Sequence, residues 1–415
     1  MDADAWEIRL LLATRETYPT FRSCIMSQYG RHLPACGIRT TLAAMEAQPG
    51  VNPQEYPWQG GGELILWPRS KRGRVGRNLA FCAAFLRTVW CRARQFDALV
   101  VRDVFVTGAV ALALCRLFKV PFFFWLTFPY PDEDLFRFRA QGRGLGTGRW
   151  IYTLLRGHLS RFVLHRLLLP FSDHVIVISE AMKDEFAAMG IDPQRMTPNP
   201  MGVDGALLQS RAPSPSDDPR LTGKRVLAYL GALDKIRRID FLFEVLAHVR
   251  KHEPDTVLLL IGDTQEACDR AWLEQRARDI GVADSVVWTG WVSREQAWSF
   301  AARAEVGLCA LPEHMIFQTM SPTKAVEFLA LGIPVVVSNN PDQAKLVTES
   351  GGGQDAPYTS EPFAQAVLNL LRAPQKAREM GQNGRQYVLR LRSYEQISRD
   401  LAATYRQVLV RLRRG

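Results

Sequence analysis

Short apolar runs that alternate with amphipathic helix patterns constrain the fold of this chain more than any other feature. Pro121–Leu126 and Thr256–Gly262 are two such runs, and they carry almost no polar side chain. Strands that are apolar throughout are typical of a parallel sheet covered by helices on both faces. The sequence therefore predicts an α/β protein of the Rossmann-like, doubly wound kind.

The same pattern extends over both halves of the chain. We predict strands at Ile8–Ala13, Ile38–Ala43, Ala98–Val101, Pro121–Leu126, Val175–Ile178, Val226–Leu230, Thr256–Gly262, Val286–Trp288, Val306–Ala310 and Pro334–Val337. We predict helices at Ser23–Cys36, Asn78–Arg94, Gly108–Phe118, Ser179–Gly190, Asp240–Lys251, Ala271–Gly281, Glu295–Ala304 and Ser321–Gly332. A segment rich in Gly, Pro and Gln, Gln48–Gly62, is expected to be a surface loop.

A polar stretch rich in Ser, Pro and Asp, Ser210–Leu221, indicates a domain boundary. We expect an N-terminal domain at residues 1–204, a linker at 205–221, a C-terminal domain at 222–392 and a C-terminal helix at 393–415 that can pack back on the N-terminal domain. Ligands of doubly wound sheets bind at the carboxyl ends of the strands. Two such domains are therefore expected to face a cleft.

Composition and charge limit the classes of partner that the chain is expected to bind. The 415 residues are 47% hydrophobic and 23% charged, with a formal net charge of +10 and a pI near 9.4, which favours an anionic partner. The seven cysteines include no C-x-x-C pair, which is typical of free thiols in a reducing compartment. No metal site, signal peptide or membrane-spanning run is indicated, so a cytoplasmic protein is expected.

The stretch Met320–Ser338 has the pattern of an anion site at the start of a helix. Ser321 is a suitable N-cap, and Pro322, Thr323 and Lys324 would form the first turn. Free backbone N–H groups and one lysine there would favour phosphate, and Glu327 could accept hydrogen bonds from a diol. Together they describe a site for a nucleotide and its ribose, although similar caps occur in helices that bind nothing.

Residues 135–170 combine basic and aromatic side chains. The arginines are Arg137, Arg139, Arg143, Arg149, Arg156, Arg161 and Arg166, and no acidic residue occurs between Asp134 and Asp173. This composition is typical of an element that lies in an anionic lipid interface. The alternative is a helix pair whose arginines are solvated or cover apolar surface with their stems. No nucleic-acid motif accompanies the charge.

The second half of the chain resembles the family four glycosyltransferases, which have two Rossmann-like domains in the GT-B arrangement. The similar segments are YLGALDKIRRIDFLFEVL, LLLIGD, VVWTGWV and SPTKAVEFLALGIPVVVSNNP, preceded by SEAMKDEFAAMGI and PMGVD. They extend from Val175 to about Arg392, whereas the N-terminal half matches only in its plan of strands and helices. The resemblance implies transfer of a sugar from a nucleotide-sugar donor, with retained configuration and without a metal or other cofactor.

The resemblance also implies roles for individual residues on the donor side. Arg237 stands where the family has a lysine that contacts the diphosphate, and Glu327 matches the second glutamate of the Glu-x7-Glu motif, which holds the ribose. The remaining positions expected to bind the donor are Gly231, Gly262, Ser321, Thr323 and Lys324, and Asp342 and Gln343 could reach the sugar. Arg237 and Lys324 are expected to stabilise the leaving diphosphate.

The sequence departs from the family pattern at several positions. Thr319 replaces the first glutamate of the motif, and Ala232 replaces an arginine that often follows the glycine. Arg15 and Arg22 stand where a glycine-rich loop is expected, and no histidine occurs at Thr127 or the residue after it. We therefore expect a subgroup with Ser-Pro-Thr-Lys in this position, in which Lys324 and Arg237 carry the phosphate charge.

Acceptor binding is expected in the N-terminal domain. The candidate residues are Arg15, Arg22, Arg102, Asp103 and Asp132. Asp103 is a candidate catalytic base, or else a strand-end carboxylate paired with Arg102. Asp132 and Asp134 form an Asp-x-Asp sequence, but that metal-binding motif belongs to a different fold, and a solvated acidic loop accounts for it equally well.

These observations favour a glycosyltransferase that acts on a glycan or on a polyprenyl-linked acceptor at the inner face of a bacterial membrane, in surface polysaccharide assembly. A catalytically inactive glycosyltransferase-like binding subunit is the alternative that Thr319 favours. A sugar-nucleotide epimerase of the same architecture would need a carboxylate cluster that the sequence does not contain.

Overall fold

The computed structural model of the chain describes residues 6–20, 22–46, 52, 55–69, 73–141, 147–210 and 213–414. It contains two compact units, one formed by Met1–Pro200 with Tyr394–Gly415 and the other by Met201–Ser393. Each unit is an α/β domain with a parallel sheet at its centre. The α/β, Rossmann-like fold class predicted from the apolar strands is confirmed.

The first unit is built on one parallel sheet, which has seven strands in its described part, in the order β3-β2-β1-β4-β5-β6-β7. The strands are β1 Ile8–Tyr18, β2 Ile38–Glu46, β3 Gly61–Trp67, β4 Ala98–Arg102, β5 Phe122–Leu126, β6 His174–Val177 and β7 Met196–Pro198. The strand order reverses between β1 and β4, which is the place where doubly wound sheets bind ligands.

Helices cover the first sheet. They are α1 Leu33–Ala35, α2 Arg74–Arg92, α3 Val106–Phe118, α4 Tyr130–Gln141, α5 Thr147–Val163, α6 Leu169–Phe171 and α7 Glu180–Ala188, with π-helical segments at Cys24–His32 and Leu164–Leu168. Ser179 caps α7 as predicted, because its hydroxyl accepts a 3.0 Å hydrogen bond from the Met182 N–H.

The second unit has a six-stranded parallel sheet among its described residues, in the order β10-β9-β8-β11-β12-β13. The strands are β8 Arg225–Leu230, β9 Thr256–Ile261, β10 Val286–Trp288, β11 Val306–Cys309, β12 Val335–Ser338 and β13 Gly353–Ala356. The helices are α8 Gly205–Ser210, α9 Asp240–Arg250, α10 Ala267–Ile280, α11 Arg294–Ala301, α12 Met315–Gln318, α13 Thr323–Ala330, α14 Pro341–Ser350, α15 Ser360–Arg372 and α16 Pro374–Leu391.

Alternate residues of β8 show why this sheet is covered on both faces. Leu227 and Tyr229 pack in one hydrophobic core with α9 and α15, whereas Val226 and Ala228 pack in a second core with α13. Strand order reverses here between β8 and β11. The loops after these two strands therefore lie at the expected ligand-binding edge.

The last helix, α17 Tyr394–Arg414, belongs to the first unit although it follows the second in sequence. The hydroxyl groups of Tyr405 and Tyr29 lie 2.7 Å apart, and both side chains are fully buried. The Arg406 guanidinium donates to the Cys36 carbonyl oxygen. These contacts attach the helix to the π-helical segment and to the turn that follows α1.

Several boundaries differ from those predicted. β1 continues through the expected loop to Tyr18, because Thr14 and Tyr18 are buried and the strand resumes pairing with β2 after a register shift. β3, β7 and β13 were not predicted; each lies at or near a sheet edge and is only partly buried. Of the predicted loop at Gln48–Gly62, residues 48–51, 53 and 54 lie outside the described residues.

The segment expected to be a linker, residues 205–221, is packed inside the second unit. It begins with α8, whose Leu208 is buried, and ends at Leu221, which is fully buried. The Ser299 hydroxyl donates to the Ser214 carbonyl oxygen at 2.7 Å, and the Ser216 N–H donates to the Ser299 carbonyl oxygen at 2.9 Å. Residues 211 and 212 lie outside the described residues.

In the part of the chain that the structure describes, every helix falls short of the length or the hydropathy that crossing a bilayer requires.

Candidate functional site

Two glycines bring the ends of β8 and β9 together at the ligand-binding edge of the second unit. Gly231 has φ of 130° and Gly262 has φ of 127°, a region that favours glycine. A Cβ atom on Gly262 would lie 2.4 Å from the Gly231 carbonyl oxygen. The Gly231 N–H donates to the Ile261 carbonyl oxygen at 2.9 Å. The two predicted donor-binding glycines thus form one backbone junction.

Lys324 lies beside this junction, on the first turn of α13. Its side chain is buried, and a Cβ atom on Gly231 would be 3.9 Å from its Nζ atom. Nζ donates a 2.7 Å hydrogen bond to the Tyr229 hydroxyl and lies 4.0 Å from the centre of the Tyr229 ring. The lysine is thus fixed by a neutral phenol at the end of β8, and its charge lies close to the helix N-terminus.

Ser321 does not have the predicted N-cap role. The helix begins at Thr323 and the N-cap is Pro322, which offers no side-chain hydrogen bond to the first turn. The Ser321 hydroxyl instead donates to Asp342 Oδ2 at 2.8 Å and accepts from the Met201 N–H at 3.0 Å. Leaving the N-cap without a side-chain acceptor keeps the first-turn N–H groups available to a ligand.

Asp342 is engaged with an arginine that the sequence pattern did not single out. The Arg392 guanidinium donates to Asp342 Oδ2 at 3.0 Å and to the Ser321 hydroxyl at 2.9 Å. Its Nε donates to the Met201 carbonyl oxygen at 3.0 Å. Ser321 and Asp342 therefore bind Met201 and Arg392, close to the two ends of this unit, which leaves their side chains little capacity to bind a sugar.

The Gln343 side chain, unlike that of Asp342, has no hydrogen-bond partner among the described residues. Its side chain is fully buried, and neither its Nε2 nor its Oε1 atom has a hydrogen-bond partner among the described residues. The Gln343 N–H is bonded to the Asn340 side chain at 3.0 Å, which caps α14. Buried amides normally find partners, so this amide, unlike the Asp342 carboxylate, is not committed to another of the described side chains.

Arg237 lies in a short turn after β8. The turn Lys235–Arg237 is followed by Arg238 with φ of 50°, whose guanidinium is held by both carboxylate oxygens of Asp240. Arg237 Nε lies 3.8 Å from Asp234 Oδ2, and this buried nitrogen has no hydrogen-bond partner among the described residues. Arg237 thus retains donors for an anion, whereas Arg238 is committed to the fold.

Glu327 lies one turn after Lys324 in α13. Burial raises the pKa of its carboxyl group above the ordinary value, and the opposing influences are the Arg294 charge, a hydrogen bond from the Trp298 side chain and Lys324. Sequence reasoning missed Arg294 and Trp298, which follow β10 on α11. Thr319, in place of the first motif glutamate, is buried at the end of α12.

On the first unit, Arg102 is the centre of a buried polar cluster at the end of β4. Its guanidinium donates to Glu16 Oε1 at 3.0 Å and to the Thr127 hydroxyl at 3.1 Å, and it lies 3.5 Å from the Asp103 carboxylate. Burial acts to lower the pKa of Arg102, but the neighbouring Asp103 and Glu16 carboxylates raise it. The arginine is therefore a permanent buried cation.

Asp103 faces the same cluster. Its φ of 54° is unusual for a residue other than glycine. Its Oδ1 atom accepts from the Thr127 N–H at 2.9 Å, and Oδ2 accepts from the Thr127 hydroxyl at 2.5 Å. Burial raises the pKa of this carboxyl group. This geometry favours the alternative of a paired strand-end carboxylate over a catalytic base.

Glu16, which the sequence pattern did not single out, connects two of the predicted arginines. Its Oε1 atom accepts from Arg22 Nε at 3.1 Å as well as from Arg102. Burial acts to raise the pKa of Glu16, but Arg22 and Arg102 outweigh it and hold the pKa below the ordinary value. Arg15, on β1, donates to Asn78 and stacks over Phe81.

Asp132 is not part of this cluster. It lies in the first turn of α4, and its Oδ1 atom is 3.4 Å from Nε of Arg161 on α5. Asp134 pairs with Arg156 in the same way. Both carboxylates therefore hold α4 against α5. No group of three His, Cys, Asp or Glu residues in the described part is arranged to hold a metal ion.

The comparisons with known proteins agree with this arrangement. The family model for the glycosyl transferase 4-like domain matches residues 25–202, and the model for glycosyl transferases group 1 matches residues 214–387. The first match extends the resemblance into the N-terminal half, where the sequence motifs had indicated only a similar plan of elements.

Two curated relatives and one solved structure are similar to the chain. D-inositol 3-phosphate glycosyltransferase of Segniliparus rotundus is 26% identical over 260 residues, which cover 60% of this chain and 56% of the relative. GDP-mannose-dependent alpha-(1-6)-phosphatidylinositol monomannoside mannosyltransferase of Mycolicibacterium smegmatis is 28% identical over 233 residues, which cover 52% and 58%. HepE of Anabaena in complex with UDP-glucose has a TM-score of 0.70 at 15% identity, and the match covers 96% of this chain and 100% of that one.

The chain spans about half the length of the curated relatives that it matches. The likeness to HepE shows the GT-B fold alone, because the sequence identity is low. The two family models together cover most of the chain. Over most of its length the chain is therefore similar to glycosyltransferase families, to the glycosyl transferase 4-like domain in its first half and to the glycosyl transferases group 1 domain in its second.

Proposed function

We propose that the protein transfers a sugar, with retention of configuration, from a nucleotide-diphosphate sugar to a glycan or lipid-linked acceptor. The observation that carries the proposal is the position of Lys324, a buried cation that a neutral phenol fixes beside the open N-terminus of α13. A buried charge is stabilised by an ionic partner, and a helix N-terminus adds oriented N–H groups. A diphosphate supplies that partner.

Arg237 completes the proposed diphosphate site. It lies in the loop after β8, the same strand whose Tyr229 holds Lys324, and it retains an unpartnered buried Nε. An arginine can donate two parallel hydrogen bonds to phosphate, whereas a lysine acts as a point charge. In this subgroup with Ser-Pro-Thr-Lys, Arg237 and Lys324 stabilise the charge that develops on the leaving diphosphate.

The remaining donor contacts fall to Thr323, Glu327 and Gln343. Thr323 provides a hydroxyl and the first helical N–H, Glu327 accepts from the ribose hydroxyl groups, and Gln343 contacts the sugar with its unpartnered amide. Ser321 supports the turn through Asp342 and Arg392 instead of binding the donor itself. Thr319 offers a hydroxyl where the family has a carboxylate, which alters the recognition of the sugar.

On the acceptor side, we assign the positive surface to Arg15 and Arg22, because Arg102 is fully occupied inside the fold. Asp103 is a positioning residue that fixes Thr127 at the end of β5. The proposed mechanism needs no metal ion or other cofactor, and no proton transfer is assigned to Asp103. A phosphorylated acceptor matches the net charge of the chain.

The acceptor that we favour is linked to a polyprenyl lipid, with the protein in peripheral contact with an anionic membrane through residues 135–170. The support is the mixture of exposed apolar side chains on α5 with the exposed Arg156 and Arg161. Such an acceptor would place the reaction at the inner face of a bacterial plasma membrane, in surface polysaccharide assembly, with no nucleic acid involved.

The proposal is tested first by nucleotide binding. Thermal shifts of the wild type with UDP, GDP, ADP and TDP identify which base the protein binds. UDP and GDP are included because the solved HepE structure holds UDP-glucose and a curated relative is GDP-mannose-dependent. A nucleotide at one hundred times its dissociation constant should add about 2.7 kcal/mol of stability. Lys324→Ala should remove most of this gain, because an affinity roughly 30-fold weaker leaves about 0.9 kcal/mol. Replacement of Lys345, an exposed lysine on α14, by alanine should preserve the full gain.

Retention and metal independence need a second experiment. With the nucleotide identified, the matching nucleotide-sugar and a membrane-lipid extract should give a product whose anomeric configuration by NMR equals that of the donor. Addition of EDTA should leave the rate unchanged. An inverted product, or a rate that EDTA abolishes and Mg²⁺ restores, would overturn that part of the proposal.

A catalytically inactive, glycosyltransferase-like binding subunit is the second candidate, favoured by Thr319 in place of a carboxylate. It predicts nucleotide or glycan binding without hydrolysis or transfer. Thr319→Glu distinguishes the two candidates, because it restores the family residue. Turnover in the variant alone would favour the inactive subunit, whereas turnover in the wild type would exclude it.

A further inference from the structure

A groove on the first unit lies between the end of α5, the π-helical segment Leu164–Leu168 and the end of α7. It has a volume of about 490 Å³, within the range of small-molecule sites. Two guanidinium groups and two imidazoles line it, from Arg161, Arg166, His158 and His165. Apolar walls come from Phe162 and Met189. The lining thus combines cationic and apolar groups.

The cations of this groove are not all neutralised by the protein. Arg161 pairs with Asp132 at 3.4 Å. Arg166 has an exposed side chain and forms no hydrogen bond or ion pair with the described residues. Glu185 on α7 is a second carboxyl group near Arg161, and burial raises its pKa. The groove therefore retains positive charge for an anionic ligand.

An apolar stripe on α5 leads to the groove. Its residues are spaced three or four apart and share one helix face, and their side chains are exposed by 45% at Ile151, 64% at Leu155, 52% at Leu159 and 59% at Phe162. Phe162 belongs to both the stripe and the groove. A continuous exposed apolar face of this kind marks an interaction surface, and here it ends at unpaired cations. Arg143 and the side chains of Arg137, Arg139 and Arg149 lie outside the described residues.

We propose that this groove binds the phosphate of an anionic lipid headgroup while the α5 stripe inserts into the adjoining apolar layer of the bilayer. A lipid surface matches both features at once, since it offers phosphate at one depth and hydrocarbon next to it. A soluble phosphate would leave the stripe without a partner. The inference deepens the acceptor side of the proposed function and rests on it only for the choice of a lipid-linked acceptor.

Vesicle flotation tests the inference with the full chain. The probes are vesicles of phosphatidylcholine alone and of phosphatidylcholine with phosphatidylglycerol. The wild type should float with the anionic vesicles and remain in solution with the neutral ones. Arg166→Glu should weaken partitioning roughly tenfold, whereas Lys376→Glu, a matched charge reversal on an exposed face of α16, should not.

Two matched substitutions at one position test the apolar stripe on α5. Leu159→Glu should abolish flotation, because a charge would enter the apolar layer, whereas Leu159→Met should preserve it. Equal binding to neutral and anionic vesicles, or no loss in Arg166→Glu, would overturn the inference. So would complete release from the anionic vesicles by glycerol phosphate, which would indicate a site for soluble phosphate.

Nucleotide thermal shifts of the same variants separate this inference from the proposed function. The stripe and groove belong to the first unit and the nucleotide site to the second. Variants that no longer bind vesicles but keep the nucleotide-induced thermal shift would support a lipid site that is independent of the nucleotide-sugar site. If the protein floats with anionic vesicles but binds no nucleotide, the proposed transfer reaction is contradicted and the lipid site is supported.

Discussion

The Nζ atom of Lys324 lies 2.7 Å from the hydroxyl oxygen of Tyr229 and 4.0 Å from the centre of its ring. This pair joins the first turn of α13 to the end of β8. It fixes a flexible cation in one position before any ligand arrives, and preorganised charge of this kind is what stabilises a developing anion.

We predict that Lys324→Ala weakens nucleotide-diphosphate binding by about 2 kcal/mol, or roughly 30-fold, since hydrogen bonds to charged groups contribute about that much. Tyr229→Phe should weaken binding less, because the charge remains and only its fixed position is lost. Isothermal titration of both variants measures the difference. A larger effect in Tyr229→Phe than in Lys324→Ala would contradict the assignment.

Arg392 and Asp342 should act mainly on stability. Their side chains are each 11% exposed, and the guanidinium also holds Ser321 and the Met201 carbonyl oxygen. Arg392→Ala leaves the carboxylate without its counter-ion and should lower the free energy of unfolding by about 3 kcal/mol. Urea unfolding measures the loss. Asp342→Asn combined with Arg392→Met should recover part of it, and equal losses in the single and double variants would argue against a coupled pair.

Gly262→Ala should disrupt the donor edge. The added Cβ would lie 2.4 Å from the Gly231 carbonyl oxygen at a φ of 127°, so β8 and β9 could not keep their junction. We expect a cost of about 3 kcal/mol and loss of the nucleotide shift.

Gly223→Ala is the matched control for that substitution. Its φ is 71°, and nothing lies within 4 Å of the added atom. Only the backbone penalty of about 1 kcal/mol should remain, with nucleotide binding unchanged. Equal melting temperatures for the two variants would show that the close approach of the strands has no energetic role.

Glu327 should give the protein a specific pH dependence. Because burial raises the pKa of this carboxyl above its ordinary value of 4.5, the folded state holds the proton more tightly than the unfolded state. The contribution of this proton to the free energy of unfolding is fully present below pH 4.5. It is lost as the pH rises through the pKa of Glu327 in the folded state. Glu327→Gln does not titrate, so its stability relative to the wild type should increase with pH over this interval.

The same variant tests the proposed ribose contact. Glu327→Gln should bind the nucleoside diphosphate and its 2′-deoxy analogue with more similar affinity than the wild type does, because an amide is a weaker acceptor than a carboxylate. Titration calorimetry with both ligands measures the ratio. An unchanged ratio would remove Glu327 from the ribose site.

The alternation of buried strands and helices was predictable because a strand buried on both faces must be apolar at every position. Phe122–Leu126 and Thr256–Ile261 satisfy this rule and were found close to their predicted bounds. Gly61–Trp67 and Gly353–Ala356 escaped prediction, since strands at a sheet edge bury less of their surface. The turn before α13 was located correctly, but the partners of Ser321 lie 120 and 71 residues away in sequence, and no local pattern reveals them.

What the sequence by itself determined is the fold class, the approximate start of α13 and the presence of Lys324 in its first turn. These follow from local rules of periodicity, capping and charge. Only the tertiary structure decided which polar side chains remain available: Ser321, Asp342, Asp103 and Arg102 are occupied by distant partners, whereas Gln343 and the Nε of Arg237 are not. Availability depends on how the buried donors and acceptors pair across the whole fold, and that pairing is fixed by packing between segments far apart in sequence.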